Sequence, residues 1–171
     1  MEWSPRTLEG VERVEQLRLS DREETVALGR ALGDALTGGG LVGLVGPLGA
    51  GKTTFVEGIV RGRRGDGRAV TSPTYTLVNT YGDDSSVVYH ADLYRLEGRS
   101  GLESIGYWDY LAVDGAVVCV EWLDRVPEAW PGDGVVVELD HVESGRSVAL
   151  YADGNRRDVV RRAVETFREA R

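Results

Sequence analysis

Lysine is almost missing from this 171-residue chain: Lys52 stands alone among twenty basic residues, and arginine supplies the rest. Such a bias marks position 52 as a place where a compact ammonium serves better than a planar five-donor fork. Cysteine is just as scarce. Cys119 is the only one, so no intrachain disulfide can form, and its setting in Ala116-Val117-Val118-Cys119-Val120 reads as a buried core thiol in a reducing compartment. No stretch approaches the roughly eighteen consecutive apolar residues of a membrane-spanning helix, and the first residues lack a basic start followed by an apolar run. A cytoplasmic location is the expectation. Linkers, repeats and low-complexity tracts are also wanting, so residues 1–171 are expected to form a single domain, long enough to bury about 70% of its unfolded surface. Positive charge is in deficit too. A formal net charge of −8 argues against free binding to nucleic acid, because an acidic surface repels phosphates unless a local basic patch intervenes.

What the chain does have is Gly46-Pro47-Leu48-Gly49-Ala50-Gly51-Lys52-Thr53, a complete phosphate-binding loop of the G-x-x-x-x-G-K-[ST] type. Its surroundings are the required ones. Leu41 to Val45 is a short apolar run behind the turn signal Gly38-Gly39-Gly40 and reads as a buried strand; Thr53 to Arg61 carries Phe55, Val56, Ile59 and Val60 at helical spacing. In a strand–loop–helix of this kind the backbone N–H groups around Gly49, Ala50 and Gly51 converge on an anion and the helix N-terminus adds its positive end. Lys52 reaches the β- and γ-phosphates, and the Thr53 hydroxyl is placed for Mg²⁺. Thr54, next in line, completes the candidate nucleotide-binding set.

The remaining segments arrange themselves around the loop. Ser20-Asp21-Arg22-Glu23 has capping-box spacing and opens a helix through Thr25 to Leu36. Arg61 to Arg68 is polar, glycine-rich and aperiodic, and reads as a loop. Thr74 to Tyr81 and Val87 to Ala91 form an antiparallel hairpin around Gly82-Asp83-Asp84-Ser85, and Leu102 to Leu111 makes one or two short helices. Gly115 to Glu121 is almost wholly apolar and belongs inside a sheet covered on both faces. A second hairpin joins Val135–His141 to Arg146–Tyr151, and Asn155 to Ala170 closes the chain as a helix. The expected class is α/β, a P-loop NTPase-like mixed β-sheet with helices on both faces.

Two carboxylates end extended runs, where strand ends line the ligand crevice of an open α/β sheet. Glu121, after four apolar residues, is the stronger candidate for a metal-holding carboxylate; Asp92 follows Val87 to Ala91. Their roles are interchangeable on spacing alone, and each also reads as a polar residue where a strand meets solvent. Thr71-Ser72-Pro73-Thr74 lies where a switch segment would, and equally where an ordinary Ser-Pro turn would. His90 reads as a hydrogen-bonded structural residue, and His141 carries no signal. Trp122 is either a reporter on the site or a core anchor. The closing helix carries Arg156, Arg157, Arg161, Arg162 and Arg168, either a solvated face or a surface for RNA or a partner.

Gly46 to Phe55, Ser72-Pro73-Thr74-Tyr75-Thr76-Leu77-Val78, Tyr89-His90-Ala91-Asp92-Leu93-Tyr94-Arg95-Leu96 and Val120-Glu121-Trp122, four motifs in order, resemble the signatures of the TsaE family. The resemblance implies an ATPase that supports threonylcarbamoyladenosine synthesis in tRNA together with the TsaD and TsaB proteins, reaching tRNA through that complex. It implies ATP and Mg²⁺ as cofactors, Thr53 and Glu121 as metal ligands, Asp92 as a residue needed for hydrolysis, and Ser72 to Thr74 as a switch, with Thr74 in the catalytic set beside Lys52. It also implies that an arginine after the late hairpin turn, here Arg146, approaches the nucleotide. Pro47 departs from the family, which usually has Asp or Glu there; proline removes one backbone donor and stiffens the loop entrance.

Three functional classes fit these features. The first is that ATPase; the second is a kinase of nucleotides or small metabolites with Arg61, Arg63, Arg64 and Arg68 as a lid; the third is an ATP-gated adaptor that does not hydrolyse. A Ras-like GTPase is disfavoured, because its Asn-Lys-x-Asp motif cannot occur in a chain whose only lysine is Lys52.

Overall fold

Valine- and leucine-rich runs with little alternation build the middle of the sheet. In the computed structural model, which describes residues 2–64 and 70–171, β2 (Gly40–Val45), β4 (Val88–Asp92), β5 (Val117–Glu121) and β6 (Val135–His141) run parallel in the order β6-β2-β5-β4. Every residue of β5 is buried, as a strand covered on both faces requires. Antiparallel strands complete the edges: β3 (Val78–Tyr81) on β4, β7 (Arg146–Ala152) on β6, and β1 (Glu12–Leu19) on β7. The seven-stranded mixed sheet is the expected α/β, P-loop-like class.

Alternate residues of β5 feed two apolar clusters, Val117 and Cys119 on one face, Val118 and Val120 on the other. On the first face pack α1 (Arg22–Ala35), α2 (Lys52–Arg64) and α5 (Arg156–Glu169). The second is covered by α3 (Gly98–Ser104), α4 (Tyr107–Leu111) and the 3₁₀ turns at Leu123–Arg125 and Pro127–Ala129. Burial raises the Cys119 thiol pKa well above its ordinary range, which makes it the inert core thiol expected.

Backbone contact between α1 and α2 sets the axis of the helix behind the glycine loop. A Cβ on Gly58 would lie 2.2 Å from the Val26 carbonyl oxygen, and one on Gly29 would lie 2.3 Å from that of Phe55. Gly33 and Gly62 repeat the arrangement one turn further along. Only glycine permits so close an approach.

Four sequence expectations need correction. No strand was expected before α1, yet β1 is there; as an edge strand it buries only Leu17 and Leu19 and keeps its charges outward, so it lacks a clean alternating pattern. The cap of α1 is Asp21, not Ser20: its carboxylate accepts the Glu24 N–H at 2.9 Å, and Glu24 reaches back to the Ser20 N–H at 2.7 Å. Helix α2 continues through Arg64 where a loop was expected from Arg61, because Gly62 packs on α1 and Arg63 donates to the Leu36 and Gly115 carbonyls at 2.6 and 2.8 Å. The rest of that loop, 65–69, lies outside the described residues. Finally, β3 begins only at Val78; residues before it form a turn closed by the Leu77 N–H on the Pro73 carbonyl at 2.7 Å, with Leu77 at φ 68°.

Candidate functional site

The carboxyl ends of β2, β4 and β5 open onto a cleft of about 550 Å³ at the N-terminus of α2. The loop leaves β2 at Gly46, whose φ of 146° and 2.2 Å spacing between a would-be Cβ and the Leu139 carbonyl oxygen admit only glycine. Arg146, at the start of β7, braces it from behind: Nε donates to the Ala50 carbonyl at 3.0 Å and a terminal nitrogen to that of Gly49 at 3.2 Å. The first N–H groups of α2 have no partner within the helix, so the loop presents donors and the positive end of the helix dipole to the cleft.

Lys52 is buried in the loop it belongs to. Its Nζ donates to the Gly46 and Pro47 carbonyls at 2.6 and 3.0 Å and lies 3.9 Å from the Trp122 ring centroid. Burial pulls the ammonium pKa down, while attraction to Glu121, Asp124 and Asp92 opposes the shift. Trp122 holds this place through a left-handed backbone, φ 65°, with its N–H on the Leu44 carbonyl at 2.9 Å.

Strand register brings the two carboxylates side by side, since Asp92 pairs with Glu121 across β4 and β5. Both are buried, but their partners differ. The Thr53 hydroxyl lies 3.2 and 3.0 Å from the two Glu121 oxygens. His90 Nε2 meets Glu121 Oε2 at 2.5 Å. Asp92 instead accepts the Tyr94 N–H at 2.9 Å and the Thr74 hydroxyl at 3.3 Å, and Thr74 in turn sits 2.8 Å from the Ser72 hydroxyl. The segment read from sequence as a switch thus touches one carboxylate and the glycine-loop threonine touches the other.

A second recess, of about 320 Å³, flanks the same loop. It is lined by Ser20, Asp21 and Arg22 at the start of α1, by Gly145 and Arg146, and by Thr54. Gly49, Gly51 and Thr54 border both spaces.

Hard oxygen donors at half-buried Thr53 and buried Glu121, in mutual contact, suit Mg²⁺, which takes one or two protein oxygens and completes its shell with phosphate oxygens and water. No cluster of three or more His, Cys, Asp or Glu among the described residues could hold a metal alone.

Gly49, Gly51, Lys52, Thr53, Thr54, Thr74, Asp92 and Glu121 border this cleft, and Arg146 braces its loop at Ala50. Of the proposed arginine lid, Arg61 and Arg63 do not: Arg63 turns to carbonyls at the other end of β2 and β5, and Arg61 pairs with Glu57 at 2.7 Å; Arg68 and the Arg64 side chain lie outside the described residues. The contacts of His90 and Trp122 were missed. The period-two spacing of His90 and Asp92 was the available signal, because it sets both on one face of β4.

Residues 19–148 match the family model described as threonylcarbamoyl adenosine biosynthesis protein TsaE. The chain is 39% identical over 123 residues to the tRNA threonylcarbamoyladenosine biosynthesis protein TsaE of Nostoc sp., covering 68% of this chain and 73% of that one. With the protein of that name from Bacillus subtilis it shares 34% identity over 144 residues, 84% of this chain and 89% of the relative. The crystal structure of Bacillus subtilis YdiB superposes with a TM-score of 0.73 at 29% identity, over 94% of this chain and 98% of that one. A family match over most of the chain, relatives above 30% identity and a shared P-loop-like fold leave one conclusion: the chain belongs to the TsaE family of tRNA threonylcarbamoyladenosine biosynthesis proteins.

Proposed function

We propose that this family member is a Mg²⁺-dependent ATPase that supports threonylcarbamoyladenosine modification of tRNA from within a cytoplasmic complex with TsaD and TsaB, which brings it to tRNA. One observation carries the reading: the Thr53 hydroxyl at the start of α2 and the Glu121 carboxylate at the end of β5 meet at 3.0 Å inside the glycine-loop cleft. That pair has the donor chemistry to hold Mg²⁺, which would supply neutralisation of the charge that develops in phosphoryl transfer.

The chain's own groups then divide the work. Gly49, Ala50, Gly51 and Thr54 border the phosphates, and Lys52 leaves the Gly46 and Pro47 carbonyls to meet the γ-phosphate. Asp92, tied to Thr74, orients the attacking water, whose oxygen bonds to the γ-phosphorus as the bond to the ADP oxygen breaks. With the γ end beside Asp92 and Glu121, the nucleoside lies toward the second recess, between Arg22 and Arg146. A kinase reading loses two of its four lid arginines, because Arg61 and Arg63 are engaged elsewhere.

The test is phosphate release from ATP. Release should require Mg²⁺ and fall about a hundred-fold or more in Lys52→Ala, the scale of removing one donor from a charge-stabilising site. Hydrolysis unchanged in Lys52→Ala, or equal with EDTA, would sink the assignment.

A further inference from the structure

Glutamate reaches a metal through one more rotatable bond than aspartate does, and its terminal torsion is broad. A metal-holding Glu121 therefore needs something to fix which oxygen faces the cleft. Thr53 does not do this, since its hydroxyl carries one proton and lies at nearly equal distances, 3.2 and 3.0 Å, from Oε1 and Oε2. His90 does distinguish them. It pairs with Cys119 across β4 and β5, two residues before the Asp92–Glu121 pair, and its side chain points to the same face as Asp92. From that deeper layer, wholly buried, its Nε2 reaches Oε2 alone at 2.5 Å.

We infer that His90 is the positioning residue of the metal site, its Nε2–H donating to Glu121 Oε2 so that Oε1 is presented to the cation; this rests on the ATPase reading above. A carboxylate only accepts, so the shared proton belongs to the imidazole. Its other nitrogen, Nδ1, is buried without a hydrogen-bond partner among the described residues. Leaving a buried acceptor unpaired is costly. The site tolerates that cost where the opposite nitrogen must be a fixed donor, which a leucine or valine of the surrounding core could not supply. Partners that orient a metal-holding side chain typically change metal affinity by about ten- to a hundred-fold when removed.

The experiment compares His90→Leu, which keeps the bulk and loses the donor, with His90→Gln, which returns an amide N–H near the position of Nε2. Binding of a fluorescent ATP analogue is titrated with Mg²⁺ and repeated in EDTA. In His90→Leu the half-saturating Mg²⁺ should rise about ten- to a hundred-fold while affinity in EDTA stays as in the parent, and His90→Gln should return close to the parent. Equal Mg²⁺ demand in parent and His90→Leu overturns the inference, as does failure of Gln to improve on Leu, which would mark a packing role. Should the parent itself bind the analogue without regard to Mg²⁺, the ATPase reading fails and the metal role of His90 falls with it. The hydrogen bond has a separate readout that needs neither nucleotide nor a foldable His90 variant. With two histidines in the chain, ¹⁵N-edited NMR of the parent should show one far-downfield ring N–H that moves in Glu121→Gln. A folded parent with no such resonance overturns the contact whatever the protein does with ATP.

Discussion

Thr53 and Asp92 lie in one cleft but serve different partners, and the difference can be measured. Thr53→Ala removes an oxygen in contact with Glu121, so the Mg²⁺ needed for half-maximal turnover should rise about ten-fold or more. Asp92→Asn leaves that contact alone and weakens the hydrogen bond with Thr74; Mg²⁺ demand should stay unchanged while maximal hydrolysis drops about a hundred-fold, the lower end of what a positioned general base contributes. The reverse pattern would exchange the two carboxylates' roles. Trp122 offers an optical readout. Its ring carries the Lys52 ammonium at 3.9 Å and touches Tyr94, with ring centroids 5.0 Å apart. Drawing Lys52 onto phosphate removes that cation, so Mg-ATP should change intrinsic fluorescence in the parent and leave it unaltered in Trp122→Phe, despite Trp3, Trp108 and Trp130. The glycine loop, Lys52 and Thr53 were legible in the sequence because local spacing encodes them. The His90–Glu121 contact was not, because the register of β4 on β5 brings those side chains together, nor was Lys52–Trp122, which joins the start of α2 to a left-handed residue after β5.

Helix α2 has to point its N-terminus at the cleft, and its glycine contacts with α1 determine whether it does. Gly58→Ala would push a methyl group to 2.2 Å from the Val26 carbonyl, a backbone atom that cannot swing aside. Overpacking of this kind costs typically about 1–3 kcal/mol, and here the upper end is expected, read as a lowered midpoint in urea unfolding with an unchanged slope. A smaller loss than at an exposed helical site such as Asp158→Ala would mean that the helices can part. The same contacts explain what the sequence concealed. Gly62 looks like a helix breaker until α1 is seen against it, so α2 was read as ending early; Ser20-Asp21 and Glu23-Glu24 offer two capping registers one residue apart. Conversely, β2, β5 and the β6–β7 hairpin were plain, since fully buried strands and a Ser-Gly turn leave a strong local mark. The turn before β3 hides for another reason. Leu77 adopts a left-handed backbone that costs an L-residue roughly 1–2 kcal/mol, a conformation held by the Pro73 carbonyl and the Asp92 N–H and invisible to propensity.

Across the whole molecule, charge and exposure separate a neutralised back from an unfinished front. The arginines of α5 are largely spoken for: Arg156 pairs with Asp133, Arg157 with Glu12 and Arg168 with Glu15. Such surface pairs add little stability, but they cancel the positive field that RNA would need, which favours the solvated-face reading of that helix. At the cleft the situation differs. Leu48 lines it and Tyr75 stands over Arg95 at its edge, each 86% exposed, an apolar rim open to solvent. Among the described residues lining the cleft, Arg95 is the sole arginine, and its guanidinium lies 5.1 Å from the Tyr75 ring centroid, on the side of the switch turn. Phosphoryl transfer with no arginine on the γ-phosphate is slow, and supplying one from a partner accelerates related reactions by roughly 10³–10⁵-fold. Isolated protein should accordingly hydrolyse ATP slowly, and a TsaD–TsaB assembly should stimulate it by covering the rim and pressing Thr74 toward Asp92, now 3.3 Å apart. Thr74→Ala should keep the slow basal rate and lose most of the stimulation, measured as phosphate release with and without the assembly. Fast turnover by the protein alone, or full stimulation of Thr74→Ala, would show that the cleft is already complete and that the switch turn plays no part in it.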